Sequence, residues 1–108
     1  MLVPKLMERI SQTGVIAVLV VDRPEVAGPL ATALLEGGID VAELTLRTPA
    51  SLDVLRAMIS EVKEMVVGAG TILTVEQVQQ VAEAGAAFGV APGMNPRVVR
   101  AAKWGRSE

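Results

Sequence analysis

The chain has 108 residues, enough for one small domain. Lys and Arg total 10 against 12 Asp and Glu, a formal net charge of -2, so no basic surface points to nucleic acid. Cys and His are both absent, which excludes a disulfide framework, thiolate chemistry, imidazole–zinc ligation and a Ser-His-Asp relay.

Half of the chain is hydrophobic, with only one Phe and one Trp, so its core must be built from Ala, Val, Leu, Ile and Met. Residues Pro4 to Gln12 read as a leading helix. The N-terminal stretch is mixed in charge and has no signal-peptide pattern. The run "VIAVLVV", Val15 to Val21, is the longest purely apolar one and falls far short of the roughly 20 residues a bilayer needs. The expectation is a cytoplasmic domain with no membrane partner.

That run opens a repeat of strand and helix. Four strands are predicted, at 15–21, 39–46, 65–70 and 87–91. The first intervening helix spans Pro24 to Glu36, with Pro24 in its first turn, Gly37-Gly38 as its stop and Val26, Leu30, Ala33 and Leu34 near one face. The second spans Ser51 to Val62, with Leu52, Leu55, Met58, Ile59 and Val62 at helical spacing and start signals at Pro49 and Ser51. A third begins at Thr74, an N-cap followed by Glu76 and Gln77, turns Val75, Val78, Val81 and Ala82 inward, and ends at Gly85. A fourth, opened by "NP", runs from Asn95 to about Lys103.

Strands alternating with helices at this interval imply right-handed βαβ units and a parallel α/β sheet in order 1-2-3-4. Two architectures satisfy this pattern: an open flavodoxin-like sheet, or part of a (β/α)8 barrel. A complete barrel takes about 250 residues, so four units make half of one.

The second strand, within "VAELTLRTP", carries charge. Side chains alternate across a strand, which puts Val41, Glu43, Thr45 and Arg47 on one face and Ala42, Leu44 and Leu46 on the other. The second face is apolar and suits packing under helices. The first becomes polar toward the C-terminal end, where parallel α/β folds hold ligands. Glu43 and Arg47 are about 13 Å apart along the strand, and their long side chains can converge on one small ligand. Arg47 offers a planar fork for a carboxylate or phosphate, and Glu43 a group for proton transfer. A buried polar network, or an arginine capping a strand end, accounts for the same pattern.

"VGAGT", Val67 to Thr71, closes the third predicted strand. Gly68 and Gly70 permit close approach, either of another part of the chain in a tight turn or of a ligand, and Thr71 presents a hydroxyl. The dinucleotide spacing G-x-G-x-x-G is absent, because Leu73 holds the third position.

"GGIDVAELTLRTP", "VGAGTILTVEQ" and "EAGAAFGVAPG", in this order, resemble the 2-keto-3-deoxy-6-phosphogluconate / 4-hydroxy-2-oxoglutarate (KDPG/KHG) aldolase family. The match runs from about Val15 to Pro96. The resemblance implies a truncated (β/α)8 barrel, its N-terminal half over residues 1–108, from a family that assembles as a homotrimer. It implies a lyase of the class I aldolase type, needing no cofactor or metal. Such an enzyme cleaves a keto acid through a lysine Schiff base to pyruvate and an aldehyde. Carried over by motif, Glu43 looks like the general acid/base, and Arg47 and Thr71 like the groups that hold the pyruvyl carboxylate. Two departures stand out. Ala91 occupies a position where the family commonly has Ser or Thr. The family's Schiff-base lysine lies on the sixth strand, beyond this sequence, whereas Lys5, Lys63 and Lys103 are expected in helices or at helix ends. The competing reading is a non-catalytic half-barrel that binds small anions or serves assembly.

Overall fold

The computed structural model describes residues 8, 11–12, 14–90 and 96–105, with side chains of the last segment described through Ala101. Most of the predicted leading helix, Lys5, and the "APGMN" turn with Ala91 lie outside the described residues.

Three strands, β1 (Ala17–Leu19), β2 (Val41–Thr45) and β3 (Val66–Gly70), form a parallel sheet in sequential order. Their register aligns Val18, Glu43 and Gly68 across the sheet. Between them run α1 (Ala27–Glu36), entered through a 3-10 turn at Pro24–Val26, and α2 (Ser51–Glu61); α3 (Val75–Ala84) and α4 (Pro96–Gly105) follow β3. Helices α1 and α3 end by a shared device. Gly38 and Gly85 adopt left-handed backbone, φ +88° and +92°, and the next amide turns back into the helix: Ile39 N to Leu34 O at 2.8 Å, Ala86 N to Val81 O at 3.1 Å. Glycine takes this conformation without a Cβ penalty. At the start of α3, Thr74 and Gln77 form a reciprocal capping box.

The core lies on one side of the sheet. Ala42 and Leu44 of β2 and Val67 and Ala69 of β3 pack with Ala27 and Ala31 of α1, Val54, Leu55 and Met58 of α2, and Val78 and Val81 of α3. The buried face of α1 centres on its small residues, while Ala33 is exposed and Leu30 and Leu34 are only partly covered. Ala82 of α3 is likewise exposed rather than inward. In α1 the small side chains of Ala27, Gly28 and Ala31 let the helix approach its neighbours closely, whereas α3 buries Val78 and Val81.

The fourth predicted strand is the main correction. Among the described residues it is a single parallel bridge, Ala69 with Gly89. The cause is a slip in register. In a regular parallel ladder one residue both donates to the Val67 carbonyl and accepts from the Ala69 amide. Here Ala87 donates to Val67 O at 2.8 Å, and Phe88 accepts from Ala69 N at 3.0 Å. An extra residue therefore stands opposite Gly68, as in a bulge, and the ladder is interrupted. The first predicted strand is also shorter: among the described residues β1 pairs with β2 alone, over Ala17–Leu19.

Candidate active site at the C-terminal edge of the sheet

The sheet face opposite the core carries Val18, then Val41, Glu43 and Thr45, then Val66, Gly68 and Gly70, since paired residues point the same way. Glu43 is half-buried at the centre of this face. Its side chain crosses to β3: a Cβ on Gly70 would overlap the Glu43 carboxylate. Gly68 plays the same part for a different neighbour, since a Cβ there would overlap the Phe88 ring. The two glycines of "GAGT" thus make room for two side chains of this chain. One is a carboxylate and the other an aromatic ring re-aimed by the slipped register.

Thr71 follows Gly70 with φ +59°, the one non-glycine residue with positive φ among those described. A β-branched residue in the left-handed region stores of the order of 1–3 kcal/mol, and such strain clusters at functional sites. Thr71 is half-buried beside the Glu43 carboxylate's resting place.

Arg47 lies two residues past the end of β2 and is exposed. Its backbone is held closely. Leu46 N donates to Gly70 O at 3.0 Å, continuing the ladder by one residue. Thr45, only 4% exposed, donates its hydroxyl to Leu19 O at 3.1 Å, which makes it a strut to β1. Ser51, 2% exposed, donates to Thr45 O at 3.2 Å and accepts from Thr48 N at 3.0 Å.

The fold therefore brings Glu43 over Gly70, next to Thr71, with Arg47 launched from the adjoining strand exit. Lys63 is not among them. It is exposed in the turn leading into β3, at the other edge of the sheet, and Lys103 lies in α4. A shallow depression lined by Gln12, Leu35, Gly38 and Asp40 also lies at that far edge, before β2. Among the described residues no group of three or more acidic side chains is placed to hold a metal ion, and no helix is long and apolar enough to cross a membrane.

The family model for KDPG and KHG aldolase matches residues 6–107. The chain belongs to that family. The KHG/KDPG aldolase of Escherichia coli K12 is 46% identical over 99 residues, covering 91% of this chain and 46% of its own length. The 2-dehydro-3-deoxy-phosphogluconate aldolase of Treponema pallidum is 48% identical over 92 residues, covering 85% and 44%. This member of the family thus spans just under half the length of these curated relatives. Among solved structures, the Zymomonas mobilis ZM4 aldolase with 3-phosphoglycerate superposes with a TM-score of 0.77 at 40% identity, over 84% of this chain and 43% of that one. The Legionella pneumophila KDPG aldolase, with pyruvate captured as a covalent carbinolamine, gives 0.76 at 42% identity, over 80% and 42%.

Sequence parity alone placed Glu43 on the face opposite the core. It missed Phe88, the hydroxyls of Thr45, Thr48 and Ser51, and the backbone of Thr71. The signal for the hydroxyls was present: "TLRTPAS" flanks its arginine with three of them.

Proposed function

We propose that this chain supplies the keto-acid-handling part of a class I aldolase site acting on 2-keto-3-deoxy-6-phosphogluconate or 4-hydroxy-2-oxoglutarate. The observation that carries the reading is the Glu43 carboxylate seated on Gly70, immediately before the left-handed Thr71. In this reading Arg47 and Thr71 hold the pyruvyl carboxylate. Glu43 shuttles protons: to the hydroxyl that leaves as water when the carbinolamine dehydrates, and from the substrate hydroxyl as the carbon–carbon bond breaks. In this reading the amine that attacks the ketone is supplied by a lysine-bearing second half of the barrel, as the family resemblance implies, and Lys63, at the opposite edge of the sheet from Arg47 and Thr71, is not the nucleophile. The Legionella aldolase with its covalent pyruvate carbinolamine supports an amine-based mechanism for the family.

The same reading treats residues 1–108 as one domain of four βα units, the N-terminal half of a barrel. The parallel bridge at Gly89 and the helix α4 after it support a fourth unit. The protein is assigned to the cytoplasm and to an assembly with copies of itself, which sedimentation across a concentration series tests. Among the described residues β1 is an edge strand, and Ile16, Val18 and Val20 are exposed at alternate positions, a surface that favours association.

The test of function is complementation. The chain is combined with the lysine-bearing half of a family member, and pyruvate release is followed on both substrates. Turnover is expected with the natural chain and not with Glu43→Gln, whose assembly and pyruvate binding persist. Turnover undiminished in Glu43→Gln would remove the assignment.

A further inference from the structure

We infer that Thr48 and Ser51 are positioning residues for Arg47, a hydroxyl clamp that fixes the strand exit from which the guanidinium reaches an anion. The inference rests on the proposed role of Arg47 at the carboxylate.

The exposed Arg47 side chain contrasts with the closely held backbone on either side of it. Before Arg47, Thr45 is anchored twice: its hydroxyl donates to Leu19 O, and its carbonyl accepts from Ser51. Leu46 N is tied to Gly70 O on the opposite strand. After Arg47, Thr48 N donates to Ser51 Oγ at 3.0 Å, and Ser51 N returns to Thr48 O at 3.1 Å. The Thr48 hydroxyl lies 3.3 Å from Val21 O and 3.0 Å from Ser51 Oγ. Each hydroxyl has one proton. With Ser51 donating to Thr45 O, Thr48 can donate to Val21 O, and every proton then has an acceptor. Val21 follows β1, so the clamp ties the exits of β1, β2 and β3 into one rim around position 47.

The energetic reason is preorganisation. An arginine grips a carboxylate in a planar, two-bond geometry, and its affinity depends on where its stem starts. A long side chain on a loose loop loses more freedom on binding than one on a fixed backbone. Ser51 serves two purposes: it opens α2 as its first helical residue and also closes the clamp. The clamp is nearly dry at Thr45 and Ser51, so its bonds compete little with water.

The experiment uses the 108-residue chain and sodium pyruvate as the probe. Affinity is read from saturation-transfer NMR of the pyruvate methyl, and rigidity from hydrogen exchange of residues 46–51. Saturable binding is expected for the natural chain and its loss for Arg47→Ala. Thr48→Val, which keeps the shape and removes the hydroxyl, should weaken pyruvate by about tenfold, the worth of one hydrogen bond, and accelerate exchange at 46–51 alone. Ser51→Ala should do the same, and Thr48→Ser should restore both readouts. Equal affinity in Thr48→Val, Ser51→Ala and the natural chain, with Arg47→Ala impaired, overturns the clamp and leaves the site standing. Absence of saturable binding in the natural chain, or its persistence in Arg47→Ala, overturns the reading of Arg47 and the clamp with it.

Discussion

The carboxylate of Glu43 occupies the space that a side chain at position 70 would need. The two residues are on neighbouring strands, offset by one pair along the same face: Glu43 is paired with Gly68, and Gly70 lies two residues further on. The glutamate therefore leans toward the C-terminal edge. Its direction depends on a glycine, and that dependence can be measured.

Gly70→Ala is expected to displace the Glu43 carboxylate. Forcing a methyl into this contact should cost about 1–3 kcal/mol. Adding Glu43→Ala to it should recover most of the stability, because the clash is with that side chain and not with backbone. Turnover in the complemented assembly should be lost in both variants. Equal stability losses in the single and double variants would mean that some other neighbour fills the space above Gly70.

Thr71 gives a separable readout of strain and chemistry. Thr71→Gly removes the Cβ that disfavours φ +59°. The relief, about 1–2 kcal/mol, is partly offset by the greater freedom of glycine in the unfolded chain. The expected result is a variant at least as stable as Thr71→Val, which keeps the strain and loses only the hydroxyl. Both should weaken the grip on the keto acid and raise KM. Thermal unfolding and KM measured side by side decide it. A Thr71→Gly protein far less stable than Thr71→Val would show that the threonine is not strained at this position.

A control comes from the start of α3. Thr74 caps α3 by accepting from Gln77 N at 3.1 Å, and the Gln77 amide oxygen accepts from Thr74 N at 3.2 Å. Thr74→Ala should cost about 1 kcal/mol and lower the unfolding midpoint by roughly 5 °C. Turnover per folded molecule should be unchanged. A large change in KM would mean that the cap, three residues after Thr71, governs the site itself.

The parts of the fold that repeat were legible in the residues. "AELTL", Ala42 to Leu46, alternates apolar with polar, and the structure buries Ala42 and Leu44 in the core while Glu43 faces away from it. The capping box at Thr74 and the glycine stops at 38 and 85 carry their own local chemistry, so no tertiary context was needed to see them. What was not legible depends on pairing. The run from Val15 to Val21 is apolar throughout, yet only Ala17–Leu19 is paired as a strand and Val15, Ile16, Val18 and Val20 are exposed, because apolarity within a segment specifies neither its hydrogen-bond partners nor what covers it. The slip at Ala87 and Phe88 depends on register with β3, which no pattern within the segment reveals. Gly68 and Gly70 were legible as places of close approach, but which side chains approach them is set by neighbouring strands. The hydroxyls around Arg47 are common in turns, and only the fold shows that they point at one another.

The most direct test of the whole account is mass spectrometry after borohydride reduction with pyruvate, on this chain mixed with the lysine-bearing half of a family member. Borohydride fixes the imine between the ketone and the amine, so the mass shift reports which lysine attacked. The account predicts one adduct, on the supplied half, formed more slowly when this chain carries Glu43→Gln, and none on Lys5, Lys63 or Lys103. Lys63 is exposed in the turn before β3, away from the edge where Glu43 meets Gly70. A stoichiometric adduct on any of those three lysines would contradict it, and would make this chain the source of its own nucleophile.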